Sequence, residues 1–337
     1  MPTSLNEEEG CMEMERVDTD YGQHSSALIR DRYRLTRCIG EGAMGKVFAA
    51  VQEPLGRTVA IKFLRSDIPL QKYAWAIERF HHEARVLASL NHPNIVTLYD
   101  YGRSEDGRLF MVMECLAGTT LEEVLLSGEM NTERSCRLFK QLLAGLSVAH
   151  RSGLVHRDLK PANVIVYRDR LGLECLKILD FGLSTFLARS SQGPVELLVG
   201  SLGYMAPEHL QGMGVDARSD IYSVGVMMYQ SLSGTLPFHA ETAADWFHCH
   251  QQGSAPELAT RCGDVPAPLC SLVSMAMSKT KEERYSSAEI MLAELDGLMT
   301  GSMAVDAERI QFLKYMVWMA FVGYIAVVWT TLIAVGR

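Results

Sequence analysis

Residues 154–163 read Leu-Val-His-Arg-Asp-Leu-Lys-Pro-Ala-Asn, and few folds accommodate such a stretch. It opens apolar, as the end of a strand or helix would. It then sets an imidazole, an acid, two bases and an amide close together, and Pro161 stops any helix. Burying so many hydrogen-bonding groups in a core is costly, whereas a catalytic loop needs them side by side. Seventeen residues past Asn163 comes Asp180-Phe181-Gly182, after the apolar run 176–179. An acid at a strand end, followed by a glycine that permits an abrupt turn, could share a metal ion with Asn163.

His156-Arg157-Asp158 with Asn163, followed by Asp180-Phe181-Gly182, resembles the catalytic core of eukaryotic-like protein kinases. Lys160, two residues after Asp158, is similar to the serine/threonine branch rather than the tyrosine branch. The resemblance runs from about residue 33 to 298. It is closest to bacterial Hanks-type serine/threonine kinases, in which a cytosolic kinase domain precedes a single membrane span.

The rest of the first half fits this order. The segment 39–47, Ile39-Gly40-Glu41-Gly42-Ala43-Met44-Gly45-Lys46-Val47, follows G-x-G-x-x-G-x-V, and its glycines let backbone amides approach phosphate oxygens. A dinucleotide-binding turn shares the glycines but needs a helix directly afterwards. Residues 47–51 read instead as a second strand, so the glycines bridge a hairpin. Lys46 is followed by Val47, which excludes a Walker A loop. Val59-Ala60-Ile61-Lys62 is a third strand. A lysine in a strand is usually solvated; beside the glycine loop, Lys62 resembles the residue that binds the α- and β-phosphates. The spacing predicts a helix over 76–90, with Glu83 where the family places the acid that pairs with Lys62; otherwise Glu83 is a solvated helix charge. His81 and His82 are adjacent and cannot face one metal, so they read as surface residues. A strand is expected over 95–98, and a buried one over 109–114. By resemblance Met113 is the gatekeeper, and the Glu114 carbonyl and Leu116 amide bond adenine. The same analogy packs adenine between Val47 and Ala60 on one side and Ile165 on the other.

In the second half a long helix is expected over 132–152, with Leu138, Leu142, Leu146 and Ala149 facing inward. Residues 200–208 match the end of a kinase activation segment, with Ser201 where threonine is commoner. Upstream hydroxyls available for activating phosphorylation are Ser184, Thr185, Ser190 and Ser191, and Arg157 offers a positive socket for a phosphate. A strongly apolar helix is expected over 220–233, its Asp220 holding the catalytic-loop backbone. Another is expected over 269–277, and Arg284 sits where the family places the buried partner of Glu208.

The implied chemistry is phosphoryl transfer, in which positioning and charge stabilisation do most of the work. The resemblance makes Asp158 the acceptor of the substrate hydroxyl proton and lets Lys160 reach the γ-phosphate. Asn163 and Asp180 become ligands of Mg²⁺ (Mn²⁺ as an alternative), and Lys62, steadied by Glu83, clamps ATP. The partners implied are ATP and proteins bearing serine or threonine, with a homodimer for autophosphorylation left open. The alternative is a pseudokinase, a membrane-anchored scaffold without turnover, although none of Lys62, Asp158, Asn163 or Asp180 is replaced.

Composition bounds the remainder. The 337 residues carry a formal net charge of −8 and no evident basic stripe, which argues against a nucleic-acid binder. Eight cysteines without a Cys-x-x-Cys pair read as reduced thiols. Residues 1–32 hold eight acids against three arginines, an expected loose tail, and no signal peptide is evident. The expected architecture is α+β: a two-lobed protein kinase fold over 33–298, with ATP in the cleft. A small antiparallel sheet with one helix (33–114) precedes a larger helical lobe (117–298). A linker, 299–314, then leads to one transmembrane helix, 315–335. That run has no formal charge and spans about 31 Å as a helix. Arg309 and Lys314 before it place the kinase on the cytoplasmic side of a single-pass membrane protein.

Overall fold

The computed structural model describes residues 28–42, 45–64, 70–181 and 199–301. They fall into two compact units. The first, 28–92 with 96–117, is a six-stranded sheet and one long helix. Strand β1 (Leu28–Ile29) leads into β2 (Tyr33–Gly42), β3 (Gly45–Gln52) and β4 (Arg57–Leu64). Helix α1 (Leu70–Ser89) follows, then β5 (Leu98–Arg103) and β6 (Leu109–Glu114). The order is β1-β2-β3-β4-β6-β5, antiparallel throughout.

The alternation of side chains along a strand divides this sheet cleanly. Phe48 and Ala50 on β3, Val59, Ile61 and Phe63 on β4, and Phe110 and Val112 on β6 form one core with Ile29 and Tyr33. Val47, Ala60, Lys62, Met111 and Met113 therefore share the other face, paired across strands as Val47 with Lys62, Lys62 with Met111 and Ala60 with Met113. The two ends of the sheet are tied together by side chains. The Tyr33 hydroxyl donates to Asp100 on β5 at 2.9 Å, and burial pushes the phenol up to about 12. The Arg30 amide donates to Glu105 at 2.8 Å, and its guanidinium donates to the Arg103 carbonyl at 3.3 Å. That guanidinium lies so close to Gly102 that a Cβ there would sit 2.5 Å from it.

Three expectations change. The sheet begins at Leu28, inside the segment 1–32 read as a tail, because Ile29 is a core residue. The strand expected over 95–98 starts only at Leu98, where pairing with β6 begins. Ile95 instead bridges Ile178, and the Ile178 amide donates to the Asn94 carbonyl, so 93–95 belong with the second unit. Helix α1 also begins earlier than the spacing predicts.

The second unit, 93–95 with 118–181 and 199–301, is mostly helical. A three-stranded sheet, β7 (Gly118–Thr120), β8 (Val164–Arg168) and β9 (Glu174–Ile178), accompanies it. Its helices are α2 (Leu121–Leu126), α3 (Thr132–Arg151), α4 (Val199–Leu202), α5 (Pro207–Leu210), α6 (Ala217–Ser233), α7 (Ala243–Gln252), α8 (Leu258–Arg261) and α9 (Ala267–Ala276); α10 covers 288–301. Leu138, Leu142, Leu146 and Ala149 of α3 are all buried, as their spacing predicts. Helix α6 is buried nearly all round and stops at Gly234, whose φ of 75° is the left-handed cap glycine accepts.

Among the described residues no helix is long and apolar enough to cross a membrane. The expected span 315–335 lies outside the described residues, as do 1–27, Ala43 and Met44.

Candidate active site

In the first unit, β2 and β3 form the hairpin expected of the glycine segment, with Glu41 opposite Lys46 and Gly42 opposite Gly45. Ile39, Gly40 and Glu41 are exposed, and the Lys46 ammonium lies 3.3 Å from the Glu41 carboxylate. Gly45 is required: its φ is +143°, and a Cβ there would fall 1.8 Å from the Phe63 carbonyl oxygen. Lys62 on β4 and Glu83 on α1 are both about 5% exposed, and charges so buried need partners. At the end of β6 the Glu114 amide donates to Thr97, whose own amide donates to the Glu114 side chain. Leu116 follows two residues beyond the end of β6 and is partly buried.

In the second unit the loop 156–163 is fixed from beneath by Asp220 on α6. This fully buried carboxylate accepts the His156 amide at 2.8 Å, the Arg157 amide at 2.9 Å and His150 Nε2 at 2.8 Å. Burial would raise its carboxyl, but the hydrogen bonds and charge of His150 and the His156 amide outweigh that and hold it below the usual range. Its bond to the Arg157 amide holds that residue at φ 66°, a region few non-glycine residues enter, and Asp180, beyond β9, lies in the same region at φ 52°. The His156 ring ties the two segments together. Its Nδ1 accepts the Asp158 amide at 3.3 Å, so the proton sits on Nε2 and is donated to the Leu179 carbonyl at 2.7 Å. Phe181, fully buried, packs against that ring with centroids 5.0 Å apart.

Asp158 is therefore presented on a hydrogen-bonded frame. Asn163 Nδ2 donates to the Asp158 carbonyl at 2.7 Å and to its carboxylate at 3.2 Å. Lys160 Nζ lies 3.4 Å from the same carboxylate and 2.6 Å from Ser201 Oγ. With the Asn163 nitrogen used inward, its amide oxygen is the atom a hard cation would take. The Leu179 amide donates to the Asn163 carbonyl, which sets Asn163 at the head of β8 beside the end of β9, where Asp180 follows. Two hard oxygen donors fit a divalent ion that takes its remaining ligands from phosphate and water. Among the described residues no three His, Cys, Asp or Glu side chains form a cage of their own. Ile165 follows on β8 and is only partly buried, unlike Val164 and Val166 on either side.

Glu208 on α5 forms a two-pronged pair with Arg284 at 2.7 and 2.8 Å and accepts Ser219 at 2.7 Å. Burial raises the Glu208 carboxyl, but these bonds outweigh it and hold it low. Sequence reasoning missed His150 and Ser219. A histidine in the last turn of a helix resembles an ordinary dipole-compensating residue, and only tertiary contact shows that it faces Asp220. Ser184, Thr185, Ser190 and Ser191 lie outside the described residues.

Comparison with known proteins places the chain in a family. The family described as protein kinase domain matches residues 33–295. Serine/threonine-protein kinase pkn3 of Myxococcus xanthus is 37% identical over 88% of this chain and 53% of its own length. Serine/threonine-protein kinase PrkC of Bacillus subtilis is 33% identical over 86% of this chain and 43% of its own. The chain thus spans about half the length of the curated relatives it matches. The crystal structure of the Mycobacterium tuberculosis PknI kinase domain shares the fold, with a TM-score of 0.63 at 23% identity, covering 81% of this chain and 98% of that one. On this match and on the frame built around Asp158, the chain belongs to the protein kinase family.

Proposed function

We propose that the protein is an ATP-dependent serine/threonine kinase that transfers the γ-phosphate to hydroxyls of protein substrates. The observation that carries this reading is the Asp158 carboxylate, held by Asn163 and Lys160 with Lys160 also on Ser201. A carboxylate so oriented accepts the proton of an attacking hydroxyl, while Lys160 offers its charge to the transferred phosphoryl group. Lys62 and Glu83, the glycine hairpin, Ala60, Met113, Glu114 and Leu116 from the first unit, and Ile165 from the second, would bind ATP. Asn163 and Asp180 would hold Mg²⁺ or Mn²⁺, which neutralises phosphate charge when bound. The test is incubation of the full chain with labelled ATP, Mg²⁺ and a serine-containing protein. Asp158→Asn should abolish transfer while nucleotide affinity stays within about twofold. Retained turnover in that variant refutes the assignment, and loss of nucleotide binding with it would move Asp158 to the nucleotide.

The same reading places the kinase at the cytoplasmic face of a membrane, anchored by residues 315–335. Twenty-one residues without a formal charge, preceded by Arg309 and Lys314, support it. Full-length protein should resist carbonate extraction, and a chain ending at residue 311 should be released. Release of the full-length protein by carbonate alone overturns the anchor.

A further inference from the structure

Two ion pairs set α10 antiparallel to α3. Arg151 at the end of α3 meets Glu289 near the start of α10, and Lys140, further back on α3, meets Asp296. Continuing from Asp296 at about 1.5 Å per residue, α10 reaches Gly301 level with the first turn of α3. In that turn Arg134 binds the Glu174 carboxylate at 2.7 Å and fixes the start of β9. The end of α10 and the hairpin between β8 and β9 thus lie at the same end of the second unit. Only residues 302–314 separate α10 from the expected span 315–335.

The tip of that hairpin is held by its own hydrogen bonds. The Asp169 carboxylate accepts the Leu171 and Leu173 amides, each at 2.9 Å. The Asp169 amide donates to the Leu173 carbonyl, the Gly172 amide donates to the Asp169 carbonyl, and Arg168 donates to the Gly172 carbonyl. With these backbone groups paired internally, the tip can leave water without stranding them. Its leucines nevertheless face outward: Leu171 is 84% exposed and Leu173 61%. The acids at this end are engaged, Glu129 and Glu174 by Arg134, Glu133 by Arg137, and Asp169 by the turn itself. Arg168 and Arg170 are both exposed beside the leucines.

We propose that the tip 168–173 is a membrane-contact site. Leu171 and Leu173 enter the headgroup region of an anionic leaflet, and Arg170 meets lipid phosphate. Leucine beside arginine suits that boundary, and the cytoplasmic leaflet carries negative charge. The contact rests on the anchor read in residues 315–335, toward which the chain departs beside this tip. Anchor and tip together attach the second unit at two points, which fixes its orientation to the bilayer.

The experiment places the full chain in vesicles whose lipids carry bromine in their acyl chains, which quenches tryptophan on contact. Leu171→Trp is compared with the parent, in phosphatidylcholine mixed equally with phosphatidylserine and in phosphatidylcholine alone. In the mixed vesicles the emission added at position 171 should be largely quenched. Adding Arg170→Gln should weaken the contact about fivefold, the effect of one arginine at an anionic surface, and omitting phosphatidylserine at least as much. Emission added instead by Ile290→Trp, half-exposed at the far end of α10, should stay bright. Bright emission from position 171 while Trp318 and Trp329 of the anchor are quenched would overturn the contact and leave the tip to a protein partner. Equal quenching from position 290, or quenching indifferent to phosphatidylserine, would also overturn it. Trp318 and Trp329 escaping quenching in the parent would refute the anchor, and the contact would fall with it.

Discussion

His250 offers a direct reading of how the second unit responds to acid. Its ring is wholly buried on α7, stacked on Trp246 at 5.7 Å and set edge-on to Phe238 and Tyr222. Nδ1 lies 2.8 Å from the Tyr222 hydroxyl. Burial, assisted by the Lys279 charge, brings the imidazole down to about 4 from 6.5. The folded state therefore refuses a proton that the unfolded chain binds between those two values. Stability is full above pH 6.5, falls as the pH drops through that window, and stops falling below about 4. The whole effect is about 3 kcal/mol, of which about 2 kcal/mol is lost by pH 5. Urea unfolding of the full chain at pH 7.5 and 5.0, beside His250→Phe, isolates it. The variant leaves the Tyr222 hydroxyl unpaired and starts about 1–3 kcal/mol weaker, but it should lose about 2 kcal/mol less between the two pH values. Identical losses in the two proteins would refute the reasoning, because then His250 does not titrate with folding.

Arg284→Met strands the Glu208 carboxylate in a buried site and should cost about 3–5 kcal/mol, seen as a lower melting temperature that adding Glu208→Gln partly restores. Gly45→Ala forces a Cβ against the Phe63 carbonyl and should cost about 2 kcal/mol or more while raising the KM for ATP; unchanged stability would mean that β3 shifts freely. Replacing Ser184, Thr185, Ser190 and Ser191 together by alanine should lower kinase activity if a loop phosphate docks on Arg157. Activity equal to wild type would remove that idea.

Much of this was legible because local chemistry and tertiary role coincide. The glycine hairpin, the Lys62 strand and the helix ending at Gly234 follow from periodicity and backbone freedom alone. The segment around Ile95 was not legible. An apolar run reads as a strand whether it pairs with β6 or, as here, bridges Ile178. Nor could 28–32 be separated from an acidic tail, since one buried isoleucine among exposed charges carries no periodic signal. Asp220 was expected beneath the loop by resemblance, but its third donor, His150, lies seventy positions away and has no local pattern. The orientation of the Asn163 amide is likewise a product of its surroundings, because the inward nitrogen is chosen by the Asp158 carbonyl.

Arg30 also bears on what the edge of this sheet offers to another strand. A last strand such as β5 offers unpaired amides and carbonyls to any extended segment that drifts by, the usual seed of fibrous association. Here the guanidinium of Arg30 occupies that position, donating to the Arg103 carbonyl and filling the space that the missing side chain of Gly102 leaves open. The margin is thus blocked by a residue from the opposite end of the same sheet, so strand addition at this point must first displace a charged group. Association through this face would then rest on side chains, which can be selective, rather than on backbone pairing, which is not.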